Sequence, residues 1–426
     1  MIKKRCFLSV AAALFAIAGF AQDKTTFITT VDSVNIYNVL VENAPGNPNL
    51  RDVPRFTLMG KDSKFYLGMG ANVKMVGDFD WGNPISNPNI FAPKDIPMSV
   101  GKGDHGQTLF SVGQSNIYWN FVALPGTKNQ LGLFFDVIFL GTSSKPVIEI
   151  HHLYMKYRGF TAGYVVSTFT DLKAEPKSID FGGPASVTLV RHPNIYYTAK
   201  FGKDKEWSAQ LGLDMPDMAS FTTAGITSEI KQRMPDIPIF VQRSWKDGKG
   251  WLRASAILRN LQYMGSNTTS GAYTDKRMSA MGWGVKLSGK TPLCGGLSAN
   301  YQAVYGKGIA SYIQDFSGEH LDLVPTMEGN KLQSVPAWGA YGSLQYDFGK
   351  CGFINFTYSQ VRSYAKDFGS GWSDMYKYGQ YLTSNLIFNV GTFGQVGVEY
   401  LWGKRANYSG VKAHDNRLML MLAVSI

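Results

Sequence analysis

The sequence predicts an all-β chain: a transmembrane antiparallel β-barrel of about sixteen strands, with one loop folded inward as a constriction. Three observations predict it. Apolar residues recur at every second position over runs too long for a soluble sheet. Tight turns alternate with long polar connections. The 426 residues are 17% charged and 13% aromatic, whereas an ordinary globular chain carries about 25% charged residues.

The composition also excludes classes. At 44% hydrophobic residues the chain can bury a core, so it is not disordered. Beyond the N-terminus no apolar run approaches the roughly 18 to 20 residues of a spanning helix. Lys and Arg outnumber acids by 42 to 31. Past the first five residues the cations are scattered, which argues against a nucleic-acid partner. A 22-stranded receptor barrel with a folded plug needs more chain than this.

Residues 1–21 read as a secretory signal peptide: a basic Met1-Ile-Lys-Lys-Arg5, an apolar stretch from Cys6 to Ala18, and small residues at Gly19 and Ala21 before Gln22. Residues 22–64 form a separate N-terminal segment, periplasmic or plug-like. No heptad pattern appears there, and the Pro, Gly and Asn residues of 43–49 and 52–54 break regular structure.

The barrel is expected over 65–426. Phe65, Leu67, Met69, Ala71, Val73 and Met75 alternate with Tyr66, Gly68, Gly70, Asn72 and Lys74. This run exceeds the 5 to 6 residues usual for a soluble strand and fits a tilted membrane strand of 9 to 11 or more. The pattern recurs with strand starts near residues 65, 108, 130, 147, 160, 191, 206, 237, 251, 277, 297, 336, 353, 378, 395 and 413. Short turns such as Arg158-Gly159 and Lys246-Asp-Gly-Lys249 alternate with longer stretches near 80–107, 170–190, 215–235, 264–277, 307–332 and 365–376. Aromatics near strand ends, among them Tyr157, Phe160, Phe201, Trp207, Trp251, Tyr346 and Phe348, fit two interfacial girdles. Cys294 and Cys351 fall in turns of neighbouring hairpins. Whether they pair stays open, because two intervening strands put them near 10 Å apart.

Chemistry is sparse. His151 and His152 are adjacent on a strand, so they should face opposite ways and not share a metal. No His-Glu-x-x-His, Walker loop, Cys-x-x-Cys or Gly-x-Ser-x-Gly occurs. No catalytic residue, metal or cofactor is therefore expected. Lys74, Lys156, Lys200, Arg253, Arg259 and Lys286 share parity with the polar faces of their strands. Charge is costly against lipid, so these cations should project into the lumen, where a basic wall favours anions. Arg253 and Arg259 lie about 20 Å apart along one strand. They read either as steps for a passing carboxylate or as partners of an acid such as Asp214 or Glu399. In 170–190, Leu172, Ile179 and Phe181 are interspersed with Asp171, Lys173, Glu175, Lys177 and Asp180. Such anchors suit a loop folded against the inner wall.

The segment His151-His-Leu-Tyr-Met-Lys-Tyr-Arg-Gly-Phe-Thr-Ala-Gly-Tyr-Val-Val-Ser-Thr-Phe169 resembles the strand–turn–strand of the DcaP-like porins, with their H-A-Y and A-G-Q-T-W-S-T-F elements. Asp180-Phe-Gly-Gly-Pro184, Arg191-His-Pro-Asn-Ile195, Met234-Pro-Asp-Ile237 and Ala256-Ile-Leu-Arg259 resemble further family elements in the same order. The resemblance spans roughly 65–426. It implies a homotrimeric sixteen-stranded diffusion channel for small, often anionic solutes such as dicarboxylates. The chain departs from the family at Tyr164-Val165, which replaces Gln-Thr, at His151, which replaces Arg, and in ending on Ile426 rather than an aromatic; no coiled-coil segment is read before the barrel. The reading is a porin of a Gram-negative outer membrane, partnered by lipid and small anionic solutes. An outer-membrane β-barrel hydrolase and an adhesive or structural barrel are the alternatives.

Overall fold

A computed structural model describes residues 26–27, 33–45, 56–60, 64–142, 145–216, 219–223, 227–269, 272–326, 331–365 and 372–426. The signal peptide expected over 1–21 lies outside them. Sixteen strands close a barrel: β1 (Phe65–Asp80), β2 (Gln107–Ser111 and Asn116–Ala123), β3 (Leu131–Ile138), β4 (Glu149–Tyr157), β5 (Phe160–Val166), β6 (Arg191–Phe201), β7 (Trp207–Asp214), β8 (Ile237–Trp245), β9 (Gly250–Thr269), β10 (Ala272–Pro292), β11 (Leu297–Lys307), β12 (Pro336–Asp347), β13 (Gly352–Ser363), β14 (Tyr376–Val390), β15 (Gly394–Asn407) and β16 (Lys412–Ser425). Each pairs antiparallel with the next, and β16 returns to β1, with Arg417 opposite Asp80 and Ser425 opposite Asn72. Closure leaves no free sheet edge, the condition for spanning a membrane with strands.

Alternation explains the exterior. Val73, Met75, Leu153, Met155, Leu211, Leu213, Leu420, Leu422 and Val424 are the exposed residues of their strands. Inward neighbours such as Asn120, Asp136, Ser288, Thr357 and Glu399 are buried. A contiguous apolar exterior around a polar interior inverts a soluble protein and fits lipid. Phe201 stacks on Trp207, and Tyr346 meets Phe348 edge-on, near the short turns. Trp251 departs from the expected girdle. It shares the inward parity of Arg253 and donates from Nε1 to Asp171, 3.1 Å away.

Two other expectations change. The polar stretch 264–277 is not an irregular loop. β9 and β10 stay paired to Thr269 and Ala272, as Thr- and Tyr-containing chain without Pro allows. In the N-terminal segment, residues Ser33–Asn43 form a helix, α1, which breaks at the Pro-Gly stretch as the sequence requires. Leu40 of α1 is fully buried beside Val122. Asn43 bonds Asn120 at 2.6 Å and the Leu133 carbonyl at 3.2 Å, which seats the helix end in the short-turn mouth of the barrel. Phe56–Met59 adds a short strand against β1. Cys294 and Cys351 are free and exposed, as their separate turns dictate.

The seam between β16 and β1 is held by Arg417. It donates to both oxygens of Asp80, at 2.6 and 2.9 Å, and lies 3.4 Å from Asp78. It also reaches the Ile85 carbonyl at 2.8 Å. One buried guanidinium thus closes the cylinder and ties down the first long loop, residues 81–106.

Candidate functional site: the lumen

Three long connections fold inward: 81–106, 167–190 and, in its described residues, 308–335. Ile85, Phe91 and Ile96 from the first, Ile179 and Ala185 from the second, and Tyr312, Ile313 and Phe316 from the third join one apolar core. It packs against inward residues of β9, β11 to β16 and β1, including Val361, Leu401 and Met419.

Loop 167–190 crosses this interior and is fixed at successive strands. Ser288 donates to Asp171 at 2.7 Å and Asn300 to the Ala174 carbonyl at 3.0 Å. Asn355 and Asn385 donate to the Lys177 carbonyl. Ser178 and the Ile179 amide donate to Glu399. Tyr381 donates to Asp180 at 3.0 Å. Burial pushes Asp180 up to about 7, with Glu399 adding to the rise. Burial likewise pushes Glu175 up to about 8, opposed by Arg191. In both cases burial away from water disfavours the charged carboxylate.

The sequence-predicted cations separate into two groups. Lys74 donates to the Ile179 carbonyl at 3.1 Å and to Gln114. Lys286 donates to Thr188 at 2.9 Å and to the Phe169 carbonyl. Both hold the loop. Arg259 is sandwiched between Asp236 at 2.9 Å and Asp322 at 3.0 Å. That is a buried ion triad, not a free step of a ladder, and its acids are Asp236 at the start of β8 and Asp322 of a loop rather than Asp214 or Glu399. Lys156, Lys200 and Arg253 instead line the β4 to β9 side of the wall, where Arg253 also reaches the loop. Arg253 is half-buried, donates to the Thr170 carbonyl at 3.0 Å and sits 3.6 Å from Asp171. Lys200 is exposed. Lys173 projects from the loop into the electrostatic range of Lys156, Lys200 and Arg253. Lys156 also donates to the Glu42 and Asn43 carbonyls, both at 3.0 Å, a cation placed on the C-terminus of α1. Below the loop, on the short-turn side, a cavity of about 660 Å³ has Lys173, Lys177, Lys246, Lys249 and Lys290 in its lining, against Glu175 and Asp347. Phe181 is half-buried, with its ring 5.9 Å from that of His151.

Sequence reasoning missed Arg191, the first residue of β6, which donates from Nε to Nε2 of His152 at 3.4 Å. Its parity matches outward Ile195, and only its place at a strand end lets it turn inward. The two histidines also break the alternation rule. Asp136 pairs with His152 and Val137 with Ile150, so His151 is the extra residue of a β-bulge. Both rings face Asp136: Nδ1 of His151 lies 2.9 Å from Oδ2 and Nδ1 of His152 lies 2.9 Å from Oδ1. The expectation that they cannot share a ligand therefore fails; a His-His pair in the sequence does not reveal a bulge.

Ser167, His192 and Asp214 also meet. The Ser167 hydroxyl donates to Asp214, and His192 Nε2 lies 3.2 Å from the same oxygen. The carboxylate takes the serine proton's hydrogen bond that a nucleophile would give to an imidazole.

No protein-family model matches the chain, and no curated protein sequence matches it. Solved structures do. The outer membrane channel DcaP of Acinetobacter baumannii superposes with a TM-score of 0.71 at 20% identity, covering 86% of this chain and 99% of that one. OmpT, an outer membrane protein of Vibrio cholerae, superposes at 0.53 with 10% identity, over 86% of this chain and 99% of that one. Its trimer form gives 0.50 at 10% identity, over 85% and 99%. These likenesses establish the fold: a closed sixteen-stranded antiparallel barrel, shared with these outer-membrane proteins.

Proposed function

We propose that this protein is an outer-membrane porin through which small hydrophilic solutes diffuse passively, with anions preferred. The observation that carries the reading is the convergence of Lys156, Lys173, Lys200 and Arg253 on the open side of the lumen, where the inward loop faces the wall. The lysine-lined cavity below continues the same sign of charge toward the short-turn mouth. Cations held on low-dielectric walls lower the barrier for anions and raise it for cations. Several cations spaced along one path suit a solute with two carboxylates, each passed from one donor to the next.

The N-terminal segment acts as a partial plug. α1 sits in the short-turn mouth and occupies Lys156 through its last carbonyls. Assembly as a homotrimer is part of the reading, supported by a structural neighbour described in a trimer form. A hydrolase reading gains no support from Ser167, whose hydroxyl is committed to a carboxylate.

Purified protein in planar bilayers under a salt gradient tests the proposal. Stable single-channel steps with a reversal potential of anion sign are expected. Absence of steps, or a cation-sign reversal, would overturn it.

A further inference from the structure

We propose that Asp136, His151 and His152 form a binding site for a divalent transition metal beside the lumen, of the Zn²⁺ type. Four observations converge. The β-bulge at His151 turns two adjacent imidazoles to one side of the sheet, which regular alternation forbids. Each ring addresses a different oxygen of one carboxylate at 2.9 Å, and one ligand atom from each of the three residues lies within 4.8 Å of the others. All three side chains are buried, with His151 at 5% exposure and the others at 0%. Nε2 of His151 is buried and lacks a hydrogen-bond partner, so the cluster is not a fully satisfied polar network on its own.

The donor set selects the metal. Two imidazoles and a carboxylate suit Zn²⁺, Cu²⁺ or Ni²⁺, whereas Mg²⁺ and Ca²⁺ prefer oxygen alone. Zinc bonds near 2.0 to 2.2 Å require only a small spreading of the present contacts. Phe134 lies 6.2 Å from the His152 ring, and Phe181 of the constriction loop lies 5.9 Å from the His151 ring. Such an apolar shell limits water and leaves the approach on the half-buried Phe181 side.

Metal binding and Arg191 are coupled. While Asp136 accepts an N–H from each Nδ1, the lone pair on Nε2 of His152 accepts from Arg191. A metal on Nδ1 moves each ring proton to Nε2, with no net proton released. Two N–H groups then face each other, and Arg191 must turn away from His152. The site thereby adds positive charge beside the path and frees a guanidinium at the base of the loop.

The test uses full-length protein in detergent, stripped with chelator and titrated with Zn²⁺ alone. One Zn²⁺ per chain is expected to survive desalting. H151Q, which keeps a hydrogen-bonding group near Asp136, should bind at least roughly tenfold more weakly. Heat-modifiable migration verifies that H151Q is folded, and D136N serves as the second variant if it is not. Co²⁺ in the same site should give visible d–d bands that both variants lose. Zn²⁺ should also shift the bilayer reversal potential of wild type but not of H151Q. Zinc retained equally by wild type and the folded variants, or by none of them, would overturn the proposal. The metal count holds or fails independently of whether the protein conducts.

Discussion

Along β9 to β16 and β1, inward residues meet three folded loops; along β3 to β8, they meet α1 and the lumen, and reach those loops at fewer points, such as Asp214 beneath Tyr312. Both arcs carry the same strand pattern, apolar outside and polar inside. On the first arc the charged residues became struts. Lys74 and Lys286 hold loop carbonyls, Glu399 holds loop donors and Arg417 pins the seam. On the second arc Lys156 caps α1, while Lys200 and Lys173 of the approaching loop lie exposed. Strand parity decides which way a cation points. Which loop folds over it decides what it does.

That contrast can be broken at its strongest strut. Arg417→Ala strands Asp80 and Asp78 in a buried seam, and removing one partner of a buried pair costs about 3–5 kcal/mol. Urea unfolding of the barrel in detergent should show that loss, whereas Lys200→Ala on the open arc should stay within about 0.5 kcal/mol of wild type. Equal stabilities would erase the distinction.

The two arginines of β9 sharpen it on a single strand. Arg259→Ser leaves Asp236 and Asp322 facing each other and should cost a similar 3–5 kcal/mol or so, with ion selectivity unchanged in the barrels that assemble. Arg253→Ser should unfold at a urea concentration nearer wild type and move the reversal potential toward cations. The reverse assignment, selectivity carried by Arg259 alone, would place the open path on the wrong side of the loop.

Deleting Lys173–Ser178 removes the middle of the loop with its Ala174, Lys177 and Ser178 contacts, leaving Asp171 and Ile179 to hold the ends. Single-channel conductance should rise. A correctly folded deletion with unchanged conductance would put the loop outside the solute's path. Removing residues 33–43 should raise conductance less, because α1 covers only the short-turn mouth.

The smallest effect is one of pH. Burial raises Glu175 to about 8 from an ordinary 4.5. A carboxyl raised by folding stabilises the fold fully below its unfolded value, and that contribution is lost as the pH rises through about 8. Loop packing should therefore loosen from neutral pH toward pH 9, read as increased open-channel noise. Glu175→Gln should flatten the dependence, and identical profiles for the two proteins would show that Glu175 does not titrate in the loop.

Period-two alternation made the barrel legible because lipid enforces it at every outward position. All sixteen strands lie within a few residues of where the alternation starts. The inward loop was legible from Leu172, Ile179 and Phe181, apolar residues with no reason to sit in water. The division of the cations was not. Arg259 and Arg253 share one strand and one parity, and the acids that separate their roles, Asp322 and Asp171, arrive from loops distant in sequence. Arg191 was missed and His151 misread because a strand end and a bulge each suspend the rule that served elsewhere.

The central claim is that the open arc, and not the packed one, sets the sign of conduction. Reversal potential under a salt gradient for Lys173→Glu with Lys200→Glu tests it most directly. Both residues are placed at the open side and neither is a strut, so the barrel should assemble as wild type does. The account predicts a shift from anion toward cation preference in the double variant. A folded double variant with the wild-type reversal potential would contradict it.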